Sequence, residues 1–184
     1  MPFASGTSMA RFRPTVMNWL QPELRVLFVC TANVCRSPLA EAMLRRRLRV
    51  LGLGRRVQVR SAGSRVGQRG RMPDPRVKKL ATQNGIALGR IRARQVTPAM
   101  IQSSDYILVM EHEHLDDLAK LITSGELPEN VQLLGGYLPR DAGGNTEIPD
   151  PYFGDWHGFL EVFDRIDAAL TGLVGSIEER LARQ

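Results

Sequence analysis

A cysteine at the end of an apolar run, followed by five residues, an arginine and Ser-Pro, can seize a phosphate and attack it. The run is Val26-Leu-Phe-Val29, and the next segment reads Cys30-Thr-Ala-Asn-Val-Cys-Arg36-Ser-Pro38. Read as strand, loop and helix, it aims the unpaired N–H groups and partial positive charge of a helix N-terminus at one point. So short a loop turns its own N–H groups inward as an anion nest. Arg36 adds a planar, bidentate clamp for phosphate oxygens. To act as nucleophile, Cys30 has to be a thiolate. Lowering a thiol from ~8.5 by ~3 units takes ~4 kcal/mol, which these donors can supply. Asn33 suits the left-handed backbone that a tight loop demands. Ser37 and Pro38 read as N-cap and first helical residue. Alone, so short a pattern also fits a buried strand-end cysteine beside a surface arginine. The strand before it and the helix signals after it favour the catalytic reading.

An acid is needed for the leaving group, and Ile148-Pro149-Asp150-Pro151-Tyr152-Phe153-Gly154-Asp155 offers one. The flanking prolines exclude a helix interior and stiffen the loop that carries Asp150. Its carboxyl could protonate a departing phenoxide and then, ionised, activate the water that frees the cysteine. Pro-Asp-Pro alone is also an ordinary turn; coupled to the cysteine loop, the catalytic reading prevails.

The elements that must hold these groups follow from periodicity. Short apolar strands are predicted at about Val26–Val29, Val57–Arg60, Tyr106–Met110 and Val131–Leu134. Between them lie helical patterns. The first, from Ser37, places Ala40, Met43, Leu44, Leu48 and Leu51 on one face. Asp74-Pro75 and Thr97-Pro98 each read as N-cap and N1. Leu115–Leu121 belongs to a fourth helix. The last, about Gly158–Leu181, carries Phe159, Val162, Phe163, Ile166, Leu170, Leu173 and Ile177 at helical spacing. Strands alternating with helices predict an α/β fold: a single domain whose four-stranded parallel sheet has helices on both faces. The cysteine loop then sits at the carboxyl edge of the first strand, where open α/β sheets place ligands.

The chain has 184 residues, enough for one core without disulfides or structural metal. Its 2 cysteines exclude a secreted disulfide framework. No apolar run reaches the ~20 residues needed to span a bilayer. Residues 1–23 read as an extension, disordered or preceding a true start at Met9 or Met17, and lack a secretory apolar segment. The domain proper is read as 24–184, and Trp19-Leu20 could pack on it.

From Leu24 onward the chain resembles the low-molecular-weight protein tyrosine phosphatases. The resemblance rests on VLFVCTANVCRSPLAEAML, RSAG at Arg60–Gly63, PDPR at Pro73–Arg76, RARQVT at Arg92–Thr97, DYILVME at Asp105–Glu111 and DPYFGD at Asp150–Asp155. It implies the flavodoxin-like fold of that family (phosphotyrosine phosphatase I type) and hydrolysis of phosphotyrosine through a cysteinyl-phosphate. It implies Cys30 as nucleophile, Arg36 as phosphate clamp and Asp150 as general acid. Thr31, Ala32, Asn33, Val34, Cys35 and Ser37 would form the binding loop, Tyr152 and Phe153 its aromatic wall, and Ser61 and Glu41 its support. Ser37 would donate to the Cys30 sulfur, and Cys35 could trap oxidised Cys30 as a disulfide. No cofactor or metal is implied. The partners would be phosphotyrosine proteins, possible tyrosine kinases among them, with the enzyme a cytoplasmic monomer or weak dimer.

Three departures stand out. Ala32 replaces a frequent Gly. Ile91 stands where many relatives carry a His that pairs with the carboxylate matching Glu41, so Arg90 or Arg92 is expected to turn inward instead. Gly67 stands where some relatives have an aromatic, leaving Arg65, Arg69 and Arg71 to make the rim basic. Sibling activities are also weighed. Arsenate reductases of this fold need further downstream cysteines, which are lacking here. Protein-arginine phosphatases tend to carry Thr at Val34 and to lack the Tyr152-Phe153 pair, so phosphotyrosine is favoured.

Two rivals come from other classes. A net charge of +6, with Arg45-Arg46-Arg47, Arg49, Arg55 and Arg56 clustered, could bind nucleic acid. Without a binding motif or interleaved aromatics, a solvated helix face is the better reading. A phosphopeptide-binding module that had lost catalysis should lack the nucleophile or acid, and this chain keeps both. His112 and His114 could suggest a metal, but without a third ligand they read as surface or capping residues.

Overall fold

β1 (Leu24–Cys30) runs through the middle of the sheet with almost every side chain buried. Leu24, Val26, Phe28 and Cys30 join one apolar cluster, and Leu27 and Val29 another on the opposite face. That alternation is the period of two expected of a strand covered on both sides. The computed structural model describes residues 21–139 and 144–184. The expectations for Trp19-Leu20 and for most of the extension lie outside the described residues.

β2 (Val57–Gly63), β3 (Tyr106–Val109) and β4 (Val131–Leu133) complete a four-stranded sheet of order β2-β1-β3-β4. All three pairings are parallel. α1 (Arg36–Val50), α2 (Pro75–Gln83) and α5 (Trp156–Ala182) cover the Val26–Phe28 face. α3 (Pro98–Gln102) and α4 (His112–Ala119) cover the other through Ile101 and Leu118. The α/β expectation, with helices on both faces, therefore holds.

α1 buries Leu39, Ala40, Met43, Leu44 and Leu48 against α5 and the sheet. Each buried leucine contributes about 1.5–3 kcal/mol relative to exposure. Leu51 does not join them: the helix stops at Val50 and Leu51 stays 47% exposed. Asp74 and Thr97 cap α2 and α3 as expected, accepting from Arg76 N and Met100 N. Ser37 corrects its N-cap assignment. Cys35 occupies that position, and the Ser37 side chain is turned into the interior.

The register sets the stage for the loop. Cys30, the last residue of β1, lies opposite Gly63, the last of β2. A Cβ on Gly63 would stand 2.6 Å from the Thr31 carbonyl oxygen and 2.5 Å from the Val66 side chain. Only glycine lets the loop leave the strand there.

Candidate active site

Cys30, Thr31, Ala32, Val34, Cys35, Arg36, Gly67, Gln68, Arg71, Asp150, Tyr152 and Phe153 line one cavity of about 380 Å³ at the carboxyl edge of the sheet. It therefore gathers Cys30, Arg36 and Asp150 from two segments far apart in sequence. A larger cavity of about 670 Å³ lies at the other end of α1, among Arg45, Arg49 and Arg55. That one is lined by neither a cysteine nor a carboxylate.

The loop is held from beneath by a buried polar chain. Asn33 adopts φ 54°, the left-handed conformation that its residue type tolerates. Its Nδ2 donates to Ser37 Oγ and to Ser61 Oγ, both at 2.9 Å, and its Oδ1 accepts from Arg94 N. Ser37 Oγ lies 3.0 Å from Cys30 Sγ and 3.2 Å from the Ala62 carbonyl. Ser61 Oγ donates to Glu41 Oε2 at 2.5 Å. Glu41 is fully buried, and burial raises its carboxyl above the ordinary carboxylate range against the lowering pull of Ser61.

The expected inward turn of Arg90 or Arg92 does not occur. Both stay exposed, and Arg92 Nη1 bonds the Ile91 carbonyl. Ile91 itself is buried in the apolar core. Glu41 is countered instead by Arg45, one helical turn along α1, with Nη2 2.6 Å from Oε1. Arg45 Nη2 donates to the Val59 carbonyl at 2.9 Å, while Glu41 Oε1 makes no hydrogen bond and is held by the ion-pair contact alone.

Arg36 is almost wholly buried yet reaches three oxygens besides the loop. Nη1 contacts Glu111 Oε2 at 2.5 Å and the Ile148 carbonyl at 2.9 Å. Nη2 contacts Asp150 Oδ2 at 2.8 Å and Thr31 Oγ1 at 3.3 Å. The acid loop is thus tied to the arginine through both its backbone and its carboxylate. Ile148 N also donates to the Met110 carbonyl at the end of β3. Tyr152 N donates to Asp150 Oδ1, fixing the second carboxylate oxygen.

Arg76 braces the far side of that loop. It pairs with Asp74, donates to the Tyr152 carbonyl at 2.9 Å and lies 4.4 Å from the Phe159 ring centroid. Asp74 N in turn donates to the Val34 carbonyl, so one short segment grips both the cysteine loop and the acid loop.

Sequence reasoning missed Glu111 and left open whether His112 and His114 were surface or capping residues. His112 is exposed as expected, bonded to Glu147. His114, by contrast, is fully buried. Its Nδ1 accepts from Glu111 N at 3.0 Å, which fulfils the capping role and places the ring proton on Nε2. Nε2 lies 3.0 Å from Thr31 Oγ1. Burial, with Arg36 nearby, pushes this imidazole down to about 4, so it is neutral at physiological pH. Donor atoms of Glu111, Glu113 and His114 lie within 4.8 Å of one another. Glu111 is engaged by Arg36 and Glu113 by Arg65, while both His114 nitrogens are occupied, which leaves this cluster poorly suited to a cation.

The rim corrects one further expectation. Arg65 does not add free charge, because it pairs with Glu113 at 2.6 Å and Asp117 at 2.8 Å. Arg71 lines the cavity together with Tyr152. Phe153 is 96% exposed at the mouth, edge-on to Tyr152. Cys30 and Cys35 are both free and buried, and burial drives the Cys35 thiol far above its ordinary range. In the arginine cluster, Arg45, Arg46, Arg49 and Arg55 are exposed, as a solvated face requires, while Arg47 pairs with Asp167 and Arg56 with Glu23. Among the described residues, no helix is long and apolar enough to cross a membrane.

The chain is 38% identical over 157 residues to a low molecular weight protein-tyrosine-phosphatase of Streptomyces coelicolor, covering 85% of this chain and 95% of that one. It is 38% identical over 160 residues to low molecular weight protein-tyrosine phosphatase A of Mycobacterium tuberculosis, covering 87% and 95%. The fold matches the crystal structure of YfkJ from Bacillus subtilis with TM-score 0.79 at 29% identity, covering 87% and 98%. It also matches the YwlE arginine phosphatase with a phosphorylated active site serine, at TM-score 0.73 and 27% identity, covering 84% and 96%. A family profile described as low molecular weight phosphotyrosine protein phosphatase matches residues 25–184, and with the cysteine loop, arginine and acid loop meeting in one cavity, the chain belongs to that family.

Proposed function

We propose that the protein hydrolyses phosphotyrosine in proteins, with Cys30 as nucleophile, Arg36 as phosphate clamp and Asp150 as general acid. The observation that carries this reading is the convergence of all three on one cavity walled by Tyr152 and Phe153. The Cys30 thiolate attacks phosphorus, forming the S–P bond as the P–O bond to tyrosine breaks. Asp150 gives its proton to the departing phenolic oxygen. Water then attacks phosphorus, its proton passes to the Asp150 carboxylate, and the sulfur leaves as thiolate. Arg36 and the loop N–H groups hold the equatorial oxygens in both steps. Asn33, Ser37, Ser61 and Glu41 keep the loop in shape. Ala32 and Val34 shape its wall.

The likeness to an arginine phosphatase supports a second reading, phosphoarginine as substrate. Val34, without a hydroxyl for a guanidinium, and the Tyr152-Phe153 wall weigh for tyrosine. Residues 24–184 form the catalytic domain, and 1–23 precede it. The physiological substrates, tyrosine kinases among them, are drawn from the cytoplasm, and the enzyme acts as a monomer or weak dimer. Phosphate release from phosphotyrosine and phosphoarginine peptides, with Cys30→Ser as blank, is the test. Turnover of phosphotyrosine alone is expected; preference for phosphoarginine overturns the substrate, and no turnover of either overturns the enzyme.

A further inference from the structure

Thr31 Oγ1 is the one side-chain hydroxyl among the residues lining the catalytic cavity beside the Tyr152 phenol, and its surroundings leave it a single use. A hydroxyl carries one donor and two acceptor lone pairs. Arg36 Nη2 donates to Thr31 Oγ1 at 3.3 Å. His114 Nε2, which bears the ring proton because Nδ1 accepts from Glu111 N, donates to the same oxygen at 3.0 Å. Both lone pairs are spent. The hydroxyl proton has no acceptor among the described residues, and the cavity is the space left to it.

We propose that Thr31 is a further donor to the transferring phosphoryl group, and that His114 is the positioning residue that turns its hydroxyl toward that group. This deepens the phosphatase reading and rests on it. The Arg36 guanidinium has no acceptor lone pair and the His114 Nε2 carries the ring proton, so neither can accept the Thr31 proton. A phosphoryl oxygen entering beside Arg36 meets a donor already aimed at it, with no reorganisation to undergo during reaction. Negative charge on those oxygens rises toward the transition state, so the bond should count more in kcat than in KM. His114 touches no substrate; it acts through Thr31.

Thr31→Val keeps the shape and deletes the hydroxyl, and Thr31→Ser restores it. With an aryl phosphate, Thr31→Val is expected to lose about ten-fold or more in kcat with KM rising by no more than about five-fold, and Thr31→Ser to return within about three-fold of wild type. His114→Asn keeps an acceptor for Glu111 N but is too short to reach Thr31, so it should reproduce the kcat loss. In the double variant Thr31→Val/His114→Asn the losses should not multiply, because the two residues act as one unit. A Thr31→Val enzyme within two-fold of wild type overturns the proposal. Independent, multiplying losses overturn the part given to His114, since a purely structural histidine would act additively. Inorganic phosphate titrated into Cys30→Ser, with and without Thr31→Val, reads the same contact without turnover. About five-fold weaker binding is expected; equal binding counts against the donor. Absence of turnover in the wild type would strike the phosphatase reading, and the phosphate titration would still judge Thr31.

Discussion

Arg36 Nη2 lies 2.8 Å from Asp150 Oδ2, so the proposed phosphate clamp and the proposed acid are paired with each other. On the proposed mechanism, an arriving phosphate dianion should compete for the arginine and free Asp150 for the leaving oxygen. The pair is partly exposed, with 38% of the Asp150 side chain open to solvent, which keeps this exchange inexpensive. Asp150→Ala should therefore do two opposite things. Inorganic phosphate, measured as a competitive inhibitor, should bind about two- to five-fold more tightly because the arginine has lost a competitor. At the same time kcat should fall about 10²–10⁴-fold for esters with poor leaving groups, and less for activated ones. Equal losses for both ester classes would remove Asp150 from its role.

Glu111 neutralises the other edge of the same guanidinium, at 2.5 Å from Nη1. Glu111→Gln keeps a hydrogen-bonding group and removes the charge. Thermal melts should show lower stability, by about 1–3 kcal/mol, because a buried cation has lost a partner. Added phosphate should recover more of the melting temperature in Glu111→Gln than in wild type, since phosphate supplies the missing charge.

His114 predicts a pH dependence of folding. Its folded-state pKa of about 4 lies below the ordinary 6.5, so between those values the unfolded chain binds a proton that the native protein refuses. Stability should thus decline as pH falls through this window, by at most about 3 kcal/mol from this residue. Urea unfolding at pH 7 and pH 5 should show the loss in wild type and a smaller one in His114→Asn.

Cys35 should resist alkylation. Burial, with Asp74 next in importance, holds its thiol protonated well beyond neutral pH. Iodoacetate at pH 7 should label Cys30, phosphate should protect it, and Cys35 should react only after denaturation. Peptide masses report both sites. Early labelling of Cys35 would show that the loop opens far more readily than its hydrogen bonds imply.

Local pattern made the cysteine loop, the helix starts at Asp74 and Thr97 and the acid loop readable, because each depends on neighbours in sequence. Asn33 was legible for the same reason: few residue types tolerate φ 54°. Glu111, His114 and Arg76 were not, since their partners Arg36, Thr31 and Tyr152 lie 75, 83 and 76 residues away. Ser37 was misread as a cap because the helix starts earlier than expected, at Arg36 with Cys35 as N-cap, and the Ser37 hydroxyl lies between the Cys30 sulfur and the Ala62 carbonyl. The counter-charge for Glu41 did leave a signal. Arg45 stands four residues on along a predicted helix, a spacing that outweighs the proximity of Arg90 and Arg92 to Ile91.

Gly63 gives this enzyme an off-switch that touches no catalytic group. The bare Cα of β2 is the wall against which the first peptide of the phosphate cradle rests, with the Thr31 oxygen where a methyl would have to go. An alanine there would lever Thr31 outward and dismantle the anion nest while leaving Cys30, Arg36 and Asp150 chemically intact. For anyone wanting a silent control with every reactive group still present, the smallest possible side chain in the right place would serve.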